Sequence, residues 1–111
     1  MSDRVIVAHD RVKRFVITAS SSGNNEIVAA VTGKRIRVLS YNYVCHGTVK
    51  PAWRSGATTV IGGRGSFVDG TGKVCPKNED GWLQTAVGEA LNLNLSAAIE
   101  VGGEGTYLEV D

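Results

Sequence analysis

The sequence predicts an all-β fold: a single-domain antiparallel β-sandwich or jelly roll with about eight strands. Three observations predict it. The run Leu91–Ser96 alternates strictly between apolar and polar side chains, which is the period of a half-buried strand. Glycine occurs 14 times in 111 residues, nearly double its usual share of about 7%, and therefore indicates many tight turns. No segment of ten residues shows a convincing helical pattern.

The length of 111 residues fits one domain with one hydrophobic core. We expect two parts, an extended N-terminal arm at 1–14 and a sandwich domain at 15–111. The arm is rich in charge and has one short apolar run, Val5-Ile6-Val7. That run could add a strand to the open sheet edge of a neighbouring molecule. We expect the basic residues of the arm to meet acidic patches on that neighbour, namely Arg11, Lys13 and Arg14.

The first strand is predicted at Phe15–Thr18, ended by the turn formers of Ser20–Asn25. The next segment, Glu26–Val31, fits either a short helix capped by Asn25 or a strand. A strand is favoured, because about two helical turns are too few for a stable helix without strong packing.

The longest strand is predicted at Lys34–Val44. Unbroken alternation places Ile36, Val38 and Val44 on one face with Ser40 and Asn42. The other face then holds Leu39 with two arginines and two tyrosines, which are residue types that interfaces favour. Because both faces are partly apolar, the strand lies at the centre of the sandwich or at a subunit contact. We expect that contact to be lined by Arg35, Arg37, Tyr41 and Tyr43.

The second half of the chain is predicted to hold shorter strands around one long loop. Pro51 has no N–H for a ladder, so we expect it at a sheet edge or a bulge. The closing feature is a hairpin between Leu91–Ser96 and Thr106–Val110, joined by a glycine-rich turn. The remaining segments are strands at Thr48–Arg54, Thr58–Ile61 and Trp82–Val87 and an irregular stretch over residues 62–81.

The sequence contains no motif of an enzyme, and we expect neither catalysis nor a cofactor. The run Gly70-Thr71-Gly72-Lys73 looks like the end of a phosphate-binding loop, but its spacing is wrong. Phe67 stands where the first glycine is needed, and Val74 stands where a hydroxyl should bind magnesium. The serines lie in turn clusters and no nucleophile elbow occurs. Acidic residues of the long loop, Asp69 and Glu79-Asp80, lack the alternating ligands of a calcium loop.

The two cysteines, Cys45 and Cys75, are expected to be reduced thiols, since the polar N-terminus lacks the apolar region of an export signal. They could be imagined as a zinc site with His46 and His9. However, no pair among them has the local spacing that fixes zinc ligands, so we expect no metal.

The net charge of +1 hides an asymmetry, because residues 1–56 carry +6 and residues 57–111 carry −5. The two halves either neutralise each other on one surface or meet between subunits in a head-to-tail assembly. A pI near 7.8 argues against a nucleic-acid partner. No apolar run is long enough to span a membrane, so no membrane association is expected and synthesis in a cytoplasm is inferred.

Five segments carry a resemblance that extends over roughly residues 15–110: Gly33–Tyr41, Ser55-Gly56, Gly81–Ser96, Val101–Gly103 and Thr106–Val110. In these segments the chain resembles a group of small proteins from tailed-phage genomes.

The resemblance implies a jelly-roll virion protein. Specifically, it implies a capsid decoration or cement protein that forms trimers on the outer surface of the head and bridges capsomers of the major capsid protein. The expected location is therefore the virion capsid surface, after synthesis in the host cytoplasm. Two alternatives stay open: a carbohydrate-binding or receptor-binding module that stacks sugars on Trp53 or Trp82, and a low-copy tail or baseplate component.

Overall fold

The computed structural model describes residues 11–111, which form nine strands and no helix. The all-β prediction is confirmed. Val5, Ile6, Val7 and most of the predicted arm lie outside the described residues. The strands are β1 (Lys13–Ala19), β2 (Gly23–Val28), β3 (Arg35–Cys45), β4 (Ala52–Ser55), β5 (Thr59–Gly62), β6 (Gly72–Cys75), β7 (Leu83–Gln84), β8 (Leu91–Leu95) and β9 (Val101–Val110).

The strands build two antiparallel sheets. Sheet A has the order β1-β9-β3-β6, with β7 also paired to β3, and sheet B has the order β2-β8-β4-β5. Strands consecutive in the chain fall repeatedly in opposite sheets, and this order is the double Greek key of a jelly roll. Strands β6 and β7 pair with different parts of β3 and together occupy one position of that sheet. The prediction of about eight strands in a sandwich is therefore confirmed.

The core lies between the inner faces of the two sheets. Leu91, Leu93 and Leu95 of β8 point inward and are buried, as the alternation predicts. Phe15 and Ile17 of β1 belong to the same cluster from sheet A. Burying each such side chain contributes about 1.5–3 kcal/mol, so this shared layer is the main source of stability.

A β-bulge in β3 changes which of its residues face the core. The register with β9 shifts between Val38 and Ser40, and Leu39 is the extra, buried residue. A one-residue insertion moves all later side chains to the opposite face. The predicted grouping of Arg35 and Arg37 with the two tyrosines is therefore wrong. Inward side chains of β3 are Ile36, Val38, Tyr41, Tyr43 and Cys45, while Arg35 and Arg37 point outward.

The predicted hairpin of β8 with the C-terminal run is also wrong. Strand β8 pairs with β2 and β4, whereas β9 pairs with β1 and β3 in the other sheet. The glycines expected to form a turn are instead part of β9. Gly105 lies between Phe15 and Tyr41 in the register, and a Cβ there would overlap the Phe15 ring and the Ser40 carbonyl. Glycine makes room for aromatic neighbours at this position.

Other boundaries differ by a few residues. Strand β1 begins at Lys13, inside the predicted arm, and β2 begins at Gly23, inside the predicted turn. The stretch predicted as irregular contains β6, and only two residues of the predicted strand at 82–87 form β7. Pro51 is buried immediately before β4, where its missing N–H costs no ladder bond, and not at the expected edge or bulge.

Candidate interaction surface

The outer face of sheet A is an open platform of side chains in three registered rows. The cross-strand pairs fix which side chains are neighbours. Because β1, β9, β3 and β6 are consecutive in the sheet, two of the rows cross it from edge to edge and the third spans β1, β9 and β3. The rows are Arg14–Thr106–Ser40, Val16–Glu104–Asn42–Val74 and Thr18–Gly102–Val44–Gly72.

Three valines are exposed on this platform. Val16 is 69% exposed, Val44 is 45% exposed and Val74 is 76% exposed. Scattered apolar residues on a surface need no explanation, but these three share one face of one sheet. Gly102, between Val44 and Thr18, adds no side chain that would shield them. Val44 and Gly102 therefore form a flat, apolar part of the two inner strands, while Val16 and Val74 lie on the two edge strands with Glu104 and Asn42 between them.

Polar groups on the platform are only weakly engaged with each other. Arg14 Nη2 lies 3.4 Å from Glu104 Oε1, and both side chains are mostly exposed. Such a surface ion pair contributes about 0–1 kcal/mol. The hydroxyls of Ser40 and Thr106 are 2.6 Å apart, beside a shallow depression of about 280 Å³. A partner can therefore rearrange these groups at little cost.

Two further arginines extend the platform toward the end of the sheet. Arg37 lies opposite Leu108 and Arg35 lies opposite Val110 on the outer face. Arg37 Nε donates a hydrogen bond to Gln84 Oε1 at 2.8 Å. Within residues 11–111 no carboxylate forms an ion pair with either arginine. The structure thus brings together Arg14, Arg35 and Arg37 among the predicted contact residues.

The other predicted basic residues, Lys13 and Arg11, lie near the C-terminal end of β9. Lys13 Nζ donates to Glu109 Oε2 at 2.9 Å, and this hydrogen bond raises the pKa of the ammonium. At the same end Lys34 Nζ is 2.5 Å from Asp111 Oδ1, and that bond lowers the pKa of the carboxyl. Exposed Arg11 contributes to a polar depression beside Glu109. These two ion pairs join basic residues of the first half of the sequence to acidic residues of the second half. Part of the charge asymmetry is therefore neutralised within the molecule.

The predicted contact residues Tyr41 and Tyr43 are not on the surface. Their rings stack 6.0 Å apart in the core, where both residues are buried. Burial raises the pKa of Tyr43 to about 12. Burial and a hydrogen bond with the Cys75 thiol raise the pKa of Tyr41 as well. Both phenols are therefore held neutral, and they support the platform from beneath.

A sugar-stacking platform does not form from the predicted aromatics. Trp53 is 3% exposed and packs edge-on against Tyr41. Trp82 is 44% exposed, but its Nε1 already donates to the Pro76 carbonyl at 2.7 Å. One half-exposed indole without neighbouring exposed aromatic rings is a poor carbohydrate site.

The outer face of sheet B differs, because it is closed by its own hydrogen bonds. Arg64 donates to Asn94 Oδ1 at 2.5 Å, and Asn94 Nδ2 donates to Asn24 Oδ1 at 2.8 Å. Asn24 Nδ2 in turn donates to the Ala57 carbonyl at 2.9 Å. Arg64 also donates to the Lys50 carbonyl and so fixes the loop before β6 over this sheet. Alternation indicated the outward position of Asn94, but no sequence signal identified Arg64 as its partner.

The cysteines and acidic residues form no chemical site in the described part of the chain. Cys45 and Cys75 are free and buried. Cys75 pairs with Tyr41, four residues from Cys45 along β3, and this separation of about 13 Å is too long for a disulfide. Residues 11–111 hold no group of three or more metal-ligating side chains and no helix able to cross a membrane.

No family model, curated protein or solved structure matches the chain in the comparisons with known proteins. The function is therefore inferred from the surface itself. The feature with the clearest implication is the open outer face of sheet A, since three exposed valines share it with two arginines that form no ion pair within residues 11–111.

Proposed function

We propose that the chain is a structural assembly protein that binds a larger scaffold through the outer face of sheet A. The observation that carries the proposal is the alignment of Val16, Val44 and Val74 on that face. Burying these three exposed valines against a partner would contribute a few kcal/mol in total, at about 25 cal/mol per Å². Repetition of a modest contact in an oligomer increases the overall affinity.

The scaffold we propose is the lattice of the major capsid protein on the outside of a tailed-phage head. The resemblance of Gly81–Ser96 and the other segments to small phage virion proteins supports this choice. We infer a homotrimer that acts as decoration or cement protein, because a three-fold assembly places three platforms on one local three-fold axis of the lattice. The proposed function requires no chemistry beyond binding.

The arginines define the chemistry of the partner surface. Arg14 lies in the row next to Val16, and Arg37 and Arg35 follow toward the end of the sheet. Arg14 alone has a weak carboxylate partner within residues 11–111. We therefore expect an apolar patch bordered by carboxylates on the scaffold, so that binding weakens as the salt concentration rises. A glycan-binding module would show no such dependence.

The proposal is tested with virions of the phage that encodes the chain. Quantitative mass spectrometry should give a copy number comparable with that of the major capsid protein, and imaging should place the density on the head. A few copies per particle at the tail would contradict the proposal and favour a baseplate component.

A second measurement separates the glycan alternative. Indole fluorescence of Trp82 is followed during titration with a panel of oligosaccharides, and purified heads lacking the protein are titrated in parallel. We expect saturable binding to the heads and no response to sugars. Quenching by a saccharide without binding to heads would overturn the proposal.

A further inference from the structure

A shallow depression on the platform brings together several hydrogen-bond donors that are not engaged elsewhere in residues 11–111. This platform depression has a volume of about 280 Å³ and lies on the outer face of sheet A. Pockets for small molecules usually enclose about 300–1,000 Å³, so its size suits one side chain of a partner better than a whole cofactor. Its polar lining is formed by Arg14, Ser40, Asn42, Lys77, Glu104 and Thr106.

The two hydroxyl groups of the depression have one hydrogen left to donate. Ser40 Oγ and Thr106 Oγ1 are 2.6 Å apart, so one of them donates to the other. Each hydroxyl has a single hydrogen, and the one that accepts therefore keeps its own for another partner. The pair thus offers one O–H donor to a group that enters the depression.

Three nitrogen-bearing side chains add further donors. Arg14 engages Glu104 through Nη2 at 3.4 Å, and its Nε and Nη1 donate to no group within residues 11–111. Lys77 is exposed and forms no ion pair with the described carboxylates. The exposed Asn42 amide has no hydrogen-bond partner in the same part of the chain. Because two cations face one carboxylate, the depression carries an excess of positive charge.

We infer that the platform depression is the anchoring site for a carboxylate side chain, aspartate or glutamate, of the scaffold; the inference rests on the proposed function. A carboxylate accepts hydrogen bonds from guanidinium, ammonium, amide and hydroxyl groups alike, and charge-assisted bonds of this kind are the strong ones. Val74 and Pro76 are exposed at the same depression and provide apolar contact for the methylene groups that carry the carboxylate.

Glu104 makes the inference testable by the sign of an effect. Its carboxylate lies in the depression and repels a second carboxylate that enters. Arg14 has enough N–H donors to bind both groups, so Glu104 weakens the site without blocking it. Removal of the Glu104 charge should therefore strengthen binding, whereas removal of the Arg14 and Lys77 charges should weaken it.

The first test measures the dissociation constant for heads that lack the protein, by sedimentation at low salt concentration. The full-length variants are the double variant Arg14→Gln with Lys77→Gln and the single variant Glu104→Gln, all at exposed positions. The control is Lys50→Gln, which removes an exposed charge outside the depression. Urea unfolding of each variant verifies that it is folded.

We expect the double variant to raise the dissociation constant by at least about tenfold, Glu104→Gln to lower it by about twofold or more, and Lys50→Gln to leave it unchanged. Equal affinities of wild type and all variants would overturn the inference and leave the proposed function in place. An equal loss in Lys50→Gln would show that only net charge matters and would overturn it as well. Absence of wild-type binding would overturn the proposed function, and the inference with it.

A second measurement observes the carboxylate itself and depends on no variant. Bare heads and heads saturated with wild type are treated with a carbodiimide and an amine, which convert accessible carboxylates to amides, and mass spectrometry locates the modified residues. We expect at least one aspartate or glutamate of the major capsid protein to be protected in the saturated heads. Equal modification of every carboxylate in both samples would overturn the inference.

Discussion

The outer faces of the two sheets differ in how their side chains are hydrogen-bonded and exposed. Sheet B covers its polar side chains with a network in which Arg64, Asn94 and Asn24 satisfy one another. Sheet A leaves three valines exposed and two arginines without a carboxylate partner in the described part of the chain. Both faces lie outside the same core, so they differ in how far their exposed side chains are hydrogen-bonded to one another within the described residues.

Asparagine illustrates the contrast best, because it occurs on both outer faces. Asn94 is buried and has partners on both sides of its amide. Asn42 is exposed between Val74 and Glu104, and its side chain forms no hydrogen bond within residues 11–111. The same residue type therefore contributes to stability on one face and is available for binding on the other.

The largest expected effect comes from the inner face of sheet A. In Gly105→Val the new side chain would overlap the Phe15 ring and the Ser40 carbonyl. Overpacking of this kind, against backbone as well as a ring, should cost about 3 kcal/mol or more. Gly102→Val, on the outer face of the same strand, meets only the Ile17 carbonyl at 3.9 Å and should be tolerated. Urea unfolding of both variants measures the difference, and equal losses would contradict the assigned faces.

A smaller effect is expected from the hydrogen-bond network of sheet B. Asn94→Ala leaves Arg64 and Asn24 without their amide partner and should lower the free energy of unfolding by about 1–3 kcal/mol. The matched control is Asn42→Ala on sheet A, which should change it by less than about 0.5 kcal/mol. Comparable losses in the two variants would remove the distinction between the closed and open faces.

Alkaline pH tests the core beneath the platform separately from its surface, because that core contains buried phenols. Burial raises the pKa of Tyr43 to about 12, from 10 in an unfolded chain. The unfolded state therefore releases this proton first, so stability is complete below pH 10 and falls as the pH rises toward 12. Tyr43→Phe should make the unfolding midpoint less sensitive to alkali than the wild type, with part-buried Tyr107→Phe as control. Identical alkaline profiles would contradict this account.

The smallest effect on stability is expected on the platform itself. Val44→Lys and Val74→Lys place charges on exposed positions, so each should alter the free energy of unfolding by less than about 0.5 kcal/mol. Thermal unfolding of the two variants and the wild type measures these changes in stability. A large loss would mean that the valines serve the fold and would undermine the comparison between the two faces.

Local periodicity was enough to predict the fold class and the inward face of β8. Alternation fixes which face a side chain takes, but it does not fix the partner strand. For this reason Leu91–Leu95 was placed correctly while its predicted hairpin with β9 was wrong. The glycines of β9 resemble a turn in sequence, and only the aromatic rings packed against them explain their place in a strand.

The candidate surface was only partly predictable for the same physical reason. Arg35 and Arg37 were expected at a contact and do lie on the platform, but the bulge at Leu39 moves Tyr41 and Tyr43 inside. A bulge is an added residue whose position depends on the neighbouring strand, so alternation along one strand cannot show it. The exposed valines come from β1, β3 and β6, which are distant in sequence and meet only in the folded sheet.

The outer face of sheet A is the proposed binding surface for the scaffold, and a binding assay with capsid heads tests this assignment. Heads lacking the protein are incubated with wild type, with the double variant Val44→Lys and Val74→Lys, or with Val60→Lys from the outer face of sheet B. Bound protein is then quantified after sedimentation. We expect wild type and Val60→Lys to saturate the heads and the double variant, although folded, to be lost. Full retention of the folded double variant would contradict the claim.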